Sequence, residues 1–216
     1  MQVRAKVQSA CWIVRYFGFK WIAYRIWRRL LVALGYYALR FPSVQWSGSG
    51  AVQRDYFPGR FFFDAHDFTQ WRPVLQSVDL KDNELMEEAK AVLEGTFRYY
   101  GWRDVSRGNS PDWFLDPFSG EKADRSVHWS RGKAGGFDIK NVWELSRFSW
   151  VFSLVRAYAR DEQAIWPETF WRLFREWTAA NTPNTGVNWS CGQESSLRLV
   201  PWLFALHAFD GHPSTT

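Results

Sequence analysis

The chain has little sulfur chemistry to offer. Its two cysteines, Cys11 and Cys191, stand far apart in 216 residues and form no CxxC, so neither a disulfide framework nor a thiolate zinc site is supported. The four histidines, His66, His128, His207 and His212, are scattered without metal-ligand spacing, and no metal or other cofactor is expected. Gly132, Gly135 and Gly136 lack the spacing of a phosphate-cradling loop, which removes the nucleotide enzymes. Long uncharged apolar runs are also missing: between Phe19 and Leu39 the run is broken by Arg25, Arg28 and Arg29, which rules out a comfortable transmembrane span. The apolar stretch after Arg4 and Lys6 is interrupted at Arg15 and leads to no small-residue cleavage site. No secretory signal is therefore read, and a cytoplasmic location is expected.

What the chain has in excess is aromatic surface: 15 Trp, 18 Phe and 8 Tyr. Indoles at this density either pack between helices or line a groove, where a flat ring face can stack on a sugar. The formal net charge of +5 points to an acidic partner, and sign alone leaves nucleic acid, anionic lipid and acidic polysaccharide open.

Three regions are expected. Residues 1–41 are basic and aromatic, with a helix from Phe19 to Leu39. They read either as an amphipathic helix in peripheral contact with an anionic membrane, or as a helix packed on the domain with its arginines solvated; the second is the blander and preferred reading. Residues 42–60, rich in Ser, Gly and Pro, form a linker, and residues 61–216 form the main domain. Within that domain a helix is predicted from Asp82 to Tyr100, closed by Gly101. A long irregular loop over residues 101–137 follows, which Trp113, Phe114, Phe118 and Trp129 argue is ordered. A second helix runs from Asp138 to Arg160, with Lys140, Glu144, Arg147, Val151, Leu154 and Tyr158 on one face. A third is opened by Pro167 and buries Phe170, Phe174 and Trp177. The last begins near Ser190, where Ser190 and Gln193 fit a capping box, and Pro201 should kink or break it. No convincing strand runs follow residue 80, so the fold class is all-α.

The polar residues gather at two helix starts, Asp138 with Lys140 and Asn188 with Trp189. In an up-down bundle, alternate helices run parallel, which would turn both starts to one rim. Glu194 and Arg198, one turn apart, are taken alone an ordinary helix pair worth about 0.2–0.5 kcal/mol.

The runs FDIKNVWELSRFSW, the pair Ala157–Tyr158, FWRLFREW and NTPNTGVNWSCGQESSLRLVPWLFAL together resemble the N-terminal toroid of the heparinase II/III-like polysaccharide lyases, related alginate lyases included. The likeness is strongest from about residue 111 to 209. It implies an incomplete (α/α) toroid of helical hairpins, normally followed by a β-sandwich, with an anionic polysaccharide bound across the concave face. Such lyases neutralise a uronate carboxylate, remove the C5 proton and expel the 4-O-linked sugar. By motif match, Lys140, Trp143, Glu144, Arg147, Asn188, Trp189, Glu194 and Arg198 belong to the groove: the cations for carboxylates, the glutamates to hold the cations, the indoles for stacking or for filling the rim. The family's Asn-His helix and later Tyr and His would fall beyond the helix ending near Phe209, whereas the chain stops at Thr216. Neither Tyr158 nor His128 matches a catalytic motif. The expectation is a truncated or split lyase that binds polysaccharide without catalytic residues and without a nucleic-acid partner; the alternatives are a non-catalytic carbohydrate-binding or assembly module, or a basic membrane-surface protein.

Overall fold

The computed structural model describes residues 2–46, 68–77, 82–132, 135–209 and 212–213. Most of the expected linker and the aromatic run Phe61 to Phe63 lie outside these residues. Contacts divide the chain into two compact units, Met1–Ser43 and Val44–Thr216.

The first unit holds α1 (Gln2–Ala33) and the short α2 (Tyr36–Arg40), separated by Gly35 at φ 75. The backbone leaves helical geometry at Gly18, with φ 78 and ψ 161, so α1 is two helical pieces and the second begins at Phe19. Among the described residues, no helix is long and apolar enough to cross a membrane.

The second unit is mainly helical around one aromatic core. It contains α3 (Phe68–Ser77), α4 (Asp82–Leu93), α5 (Lys140–Ser146), α6 (Val151–Asp161), α7 (Ile165–Ala180), a 3-10 turn at Val187–Trp189, and α8 (Gly192–Ala208). Helix α6 is the hub, touching α3, α4, α7 and α8. Its sequence suits that place, since Val151, Leu154 and Val155 supply apolar bulk while Ala157 and Ala159 let neighbours approach closely. Helix α7 starts with Pro167 in its first turn and buries Phe170 and Trp177 completely, with Phe174 half-buried.

The expectation of a helical fold holds in the main, and one hairpin departs from it. The helix predicted to reach Tyr100 stops at Leu93, and Thr96–Tyr99 (β1) pairs antiparallel with Arg103–Ser106 (β2). Phe97 and Tyr99 are buried while Arg98 is exposed, an alternation that belongs to a strand. Gly95 forces the change: it sits at φ +77, and a Cβ there would lie 2.3 Å from the Gly108 carbonyl carbon. Gly101 therefore serves the loop of a hairpin rather than the end of a helix. It and Tyr100 both take positive φ, and Trp102 N–H donates to Tyr99 O at 3.2 Å.

A second correction concerns the helix predicted from Asp138 to Arg160, which is broken between α5 and α6. Phe148 occupies the break at φ 60. A left-handed conformation costs a non-glycine residue roughly 1–2 kcal/mol, whereas fully burying a phenylalanine contributes about 1.5–3 kcal/mol. Burial wins: Phe148 is wholly enclosed, stacked on Trp113 at 5.7 Å and 3° and packed edge-on against Trp202 and Trp177 at 5.5 and 5.9 Å.

The capping box at Ser190 is also not formed. Cys191 is the N-cap of α8 and has no side-chain cap bond, while the Ser190 hydroxyl donates backward to Val187 O at 2.7 Å. Helix α8 runs on through Pro201 unbroken.

Candidate functional site

The two motif runs meet where the end of α5 faces the start of α8. Arg147 donates from Nε and Nη2 to the two oxygens of Glu194 at 2.7 and 2.8 Å, the parallel fork that suits a guanidinium to a carboxylate. Its Nη1 donates to Glu144, one helical turn back. The other oxygen of Glu144 accepts the backbone N–H of Tyr100 at 2.8 Å, which ties the hairpin loop to α5. The Glu194 bonds hold the Arg147 guanidinium above its ordinary pKa against the opposing effect of burial, with the Glu144 charge adding to the rise.

Glu194 thus places both oxygens on Arg147, and Arg198 turns to backbone instead. Arg198 is only 1% exposed; its Nε donates to Ser146 O at 2.6 Å and its Nη2 to Asn188 O at 3.2 Å. The guanidinium lies 4.6 Å from the centre of the Trp177 ring, a cation-π contact in a desolvated place. Burial pushes its pKa down to about 10, partly opposed by Glu194, so it remains charged at neutral pH. Asn188 is fully buried, and its Nδ2 donates to Asn181 Oδ1 at 2.8 Å; Asn181 in turn donates to Trp177 O at 2.9 Å.

Glu144, Arg147, Asn188, Glu194 and Arg198 are therefore brought together, in one network that is mostly internal. Arg147 alone among them is half-buried, and both neighbouring carboxylates already satisfy it. Trp143 is half-buried and donates to Val187 O at 3.0 Å, which joins α5 to the 3-10 turn. Trp189 packs against Trp177 and Trp46, with ring centres 5.8 and 5.9 Å away. Lys140 stands apart as an exposed cation at the first residue of α5, its N–H bonded to Asp138 Oδ1 at 3.0 Å.

Tyr100, Asn141, Asn181 and Trp46 also join the site, though none belongs to the residues the motif runs single out. Tyr100 lies on the hairpin loop with its hydroxyl donating to Asn141 Oδ1, directly beside Lys140 in the chain. Burial raises the Tyr100 pKa, the Glu144 and Asp138 charges add to the rise, and the hydroxyl therefore stays protonated at neutral pH. Next to it Trp102 is 74% exposed, and the Arg103 guanidinium covers the Phe118 ring at 4.1 Å. The signal that could have located this rim was the Tyr-Tyr-Gly-Trp run read as a hairpin loop. Trp46 donates from its indole to Asn181 O at 2.9 Å, a contact between residues too distant in sequence for any local pattern to reveal.

A cavity of about 300 Å³ opens beside the network, lined by Glu88, Arg98, Asp104, Glu144 and Trp150 among others. Arg98 is bonded to Asp104 at 2.9 Å, so carboxylates dominate and the cavity is poorly suited to an acidic sugar. Among the described residues, no cluster of three or more His, Cys, Asp or Glu could hold a metal ion. No protein-family model, curated protein or solved structure matches the chain.

Proposed function

We propose that residues 44–216 are the substrate-binding part of an incomplete (α/α) toroid from a polysaccharide lyase acting on uronic-acid polymers. The supporting observation is that the two motif runs, Asp138 to Arg147 and Gly186 to Arg198, are joined by Arg147–Glu194 and by Arg198 bonded to the carbonyls of Ser146 and Asn188. Such a network acts as a brace between α5 and α8 rather than as a contact surface. Sugar contact then falls to the exposed rim it supports: Lys140 and Arg103 for uronate carboxylates, and Trp102 and Tyr100 for ring faces.

Binding here must come from local cations. Residues 1–43 carry eight Lys and Arg and no Asp or Glu, so the net +5 of the chain divides into +8 there and −3 over residues 44–216. Among the described rim residues, Tyr100 is held protonated and so is a poor base, and Arg147, already paired with two carboxylates, is not free to neutralise a uronate. These two facts favour binding without elimination, which a stand-alone carbohydrate-binding module would share.

The test is calorimetric titration of residues 44–216 with oligouronates and with a neutral dextran oligosaccharide as control. Binding of the oligouronate alone, weakened at least fivefold by Lys140→Ala or Trp102→Ala at unchanged melting temperature, supports the proposal. Equal binding of both sugars, or none of either, overturns it; formation of unsaturated uronate product would refute the non-catalytic part.

A further inference from the structure

We infer that the unit Met1–Ser43 is a membrane-surface anchor in which the second piece of α1 lies flat on an anionic lipid bilayer. From Gly18 onward, Phe19, Ile22, Ala23, Ile26, Leu30 and Ala33 recur at three- and four-residue spacing and so share one face. On that face Phe19 is 76%, Ile26 56% and Leu30 50% exposed, while Ile22 is half-buried. The remaining circumference carries Lys20, Arg25, Arg28 and Arg29, all exposed, together with Leu31 and Val32, both half-buried. Trp27 borders the stripe while Trp21 and Tyr24 stand among the cations, all three exposed and each offering an apolar ring with one polar atom. An apolar stripe flanked by indoles and cations is the pattern of a helix lying in the headgroup region.

Length and charge choose the occupant. Fifteen residues from Phe19 to Ala33 span about 22 Å at the helical rise, short of a hydrocarbon core of roughly 30 Å. The charges would moreover have to enter that core, so the helix lies along the surface instead of crossing it. The complete absence of Asp and Glu from residues 1–43 selects an anionic surface over a zwitterionic one. It also disfavours pairing with a second copy, because eight cations would face eight cations with no carboxylate between them. Beyond the helix end, Leu34 and Leu39 add apolar surface at 76% and 83% exposure. This inference is independent of the polysaccharide proposal, which concerns residues 44–216.

The experiment is co-sedimentation of the full chain with vesicles of phosphatidylcholine alone or mixed equally with phosphatidylglycerol, at low and physiological salt. Expected are at least tenfold tighter binding to the mixed vesicles, at least tenfold loss in the double variant Ile26→Glu, Leu30→Glu, and a severalfold loss in Arg28→Gln, Arg29→Gln. An unchanged melting temperature in each variant shows that the fold is intact; should the glutamate variant fail to fold, Leu30→Gln alone should lose about threefold or more. Absence of binding by the unaltered chain overturns the inference. So does undiminished binding by the folded apolar-face variants, which would mean charge attraction alone. A dimer that these substitutions dissociate, without vesicle binding, would assign the stripe to helix pairing.

Discussion

Replacing Glu194 by Gln keeps the shape of the brace and removes one of its charges. The Glu194 side chain is 5% exposed and its partner Arg147 25%. Breaking one side of a fully buried ion pair costs about 3–5 kcal/mol, because the remaining charge is left uncompensated. Arg147 is partly solvated and keeps Glu144, so the expected loss is at or below the lower end of that range, about 2–3 kcal/mol. For a domain of this size each kcal/mol moves the melting temperature by roughly 2–4 °C, which gives a fall of about 4–12 °C. Thermal and urea unfolding at fixed pH and salt would measure it. The decisive experiment adds Arg147→Met to complete a double-mutant cycle. A coupling of about 1.5 kcal/mol or more is expected of groups in direct contact. Additivity within about 0.5 kcal/mol, or a Glu194→Gln variant as stable as the original, would refute the brace.

Gly95→Ala should destabilise the hairpin by at least about 1 kcal/mol, read as a lower urea midpoint, since both the positive φ and the Gly108 backbone oppose a methyl group. Arg198→Ala should cost about 3–5 kcal/mol, from the cavity left under Trp177 and the carbonyls of Ser146 and Asn188 left without a donor; a midpoint within error of the original would contradict the seat described for it. For Asp116, burial favours the protonated form, but the Phe118 N–H and the Ser119 hydroxyl bind the carboxylate and bring its pKa below the ordinary value. A depressed carboxyl stabilises the fold above its unfolded pKa and loses that contribution as pH falls through the folded one. Asp116→Asn should accordingly flatten the acid limb of the stability-pH curve, measured by urea midpoints below the ordinary carboxylate range, and an unchanged limb would count against the shift.

Helix α7 was legible in the sequence because everything that makes it is local: a proline in the first turn and aromatic residues at helical spacing. The hairpin was not, because Leu93 to Tyr100 offers apolar residues compatible with either period, and the deciding constraint is the approach of Gly95 to Gly108. The break at Phe148 depends on Trp113, Trp177 and Trp202, which reach it only through the tertiary fold. At the candidate site, residue chemistry was readable while depth was not. Arg198 sits in the run SSLRLVPWLF, where an arginine on an apolar helix could equally have snorkelled to water. What encloses it is Trp177 and Trp189 from other elements together with Trp202 one turn on in its own helix, and the partners that hold it are main-chain oxygens, which no side-chain pattern displays.

The corner between α5 and α6 has a bearing on how Arg198 is recognised. In an uninterrupted helix the Ser146 carbonyl would be occupied by the amide four residues on, at Trp150. Because the helix turns aside at Phe148, that oxygen is released from the ladder and becomes the acceptor for the arginine. Substitutions that straighten this corner would therefore evict a guanidinium they never touch. The left-handed phenylalanine and the buried arginine are one inheritance, to be kept or lost together.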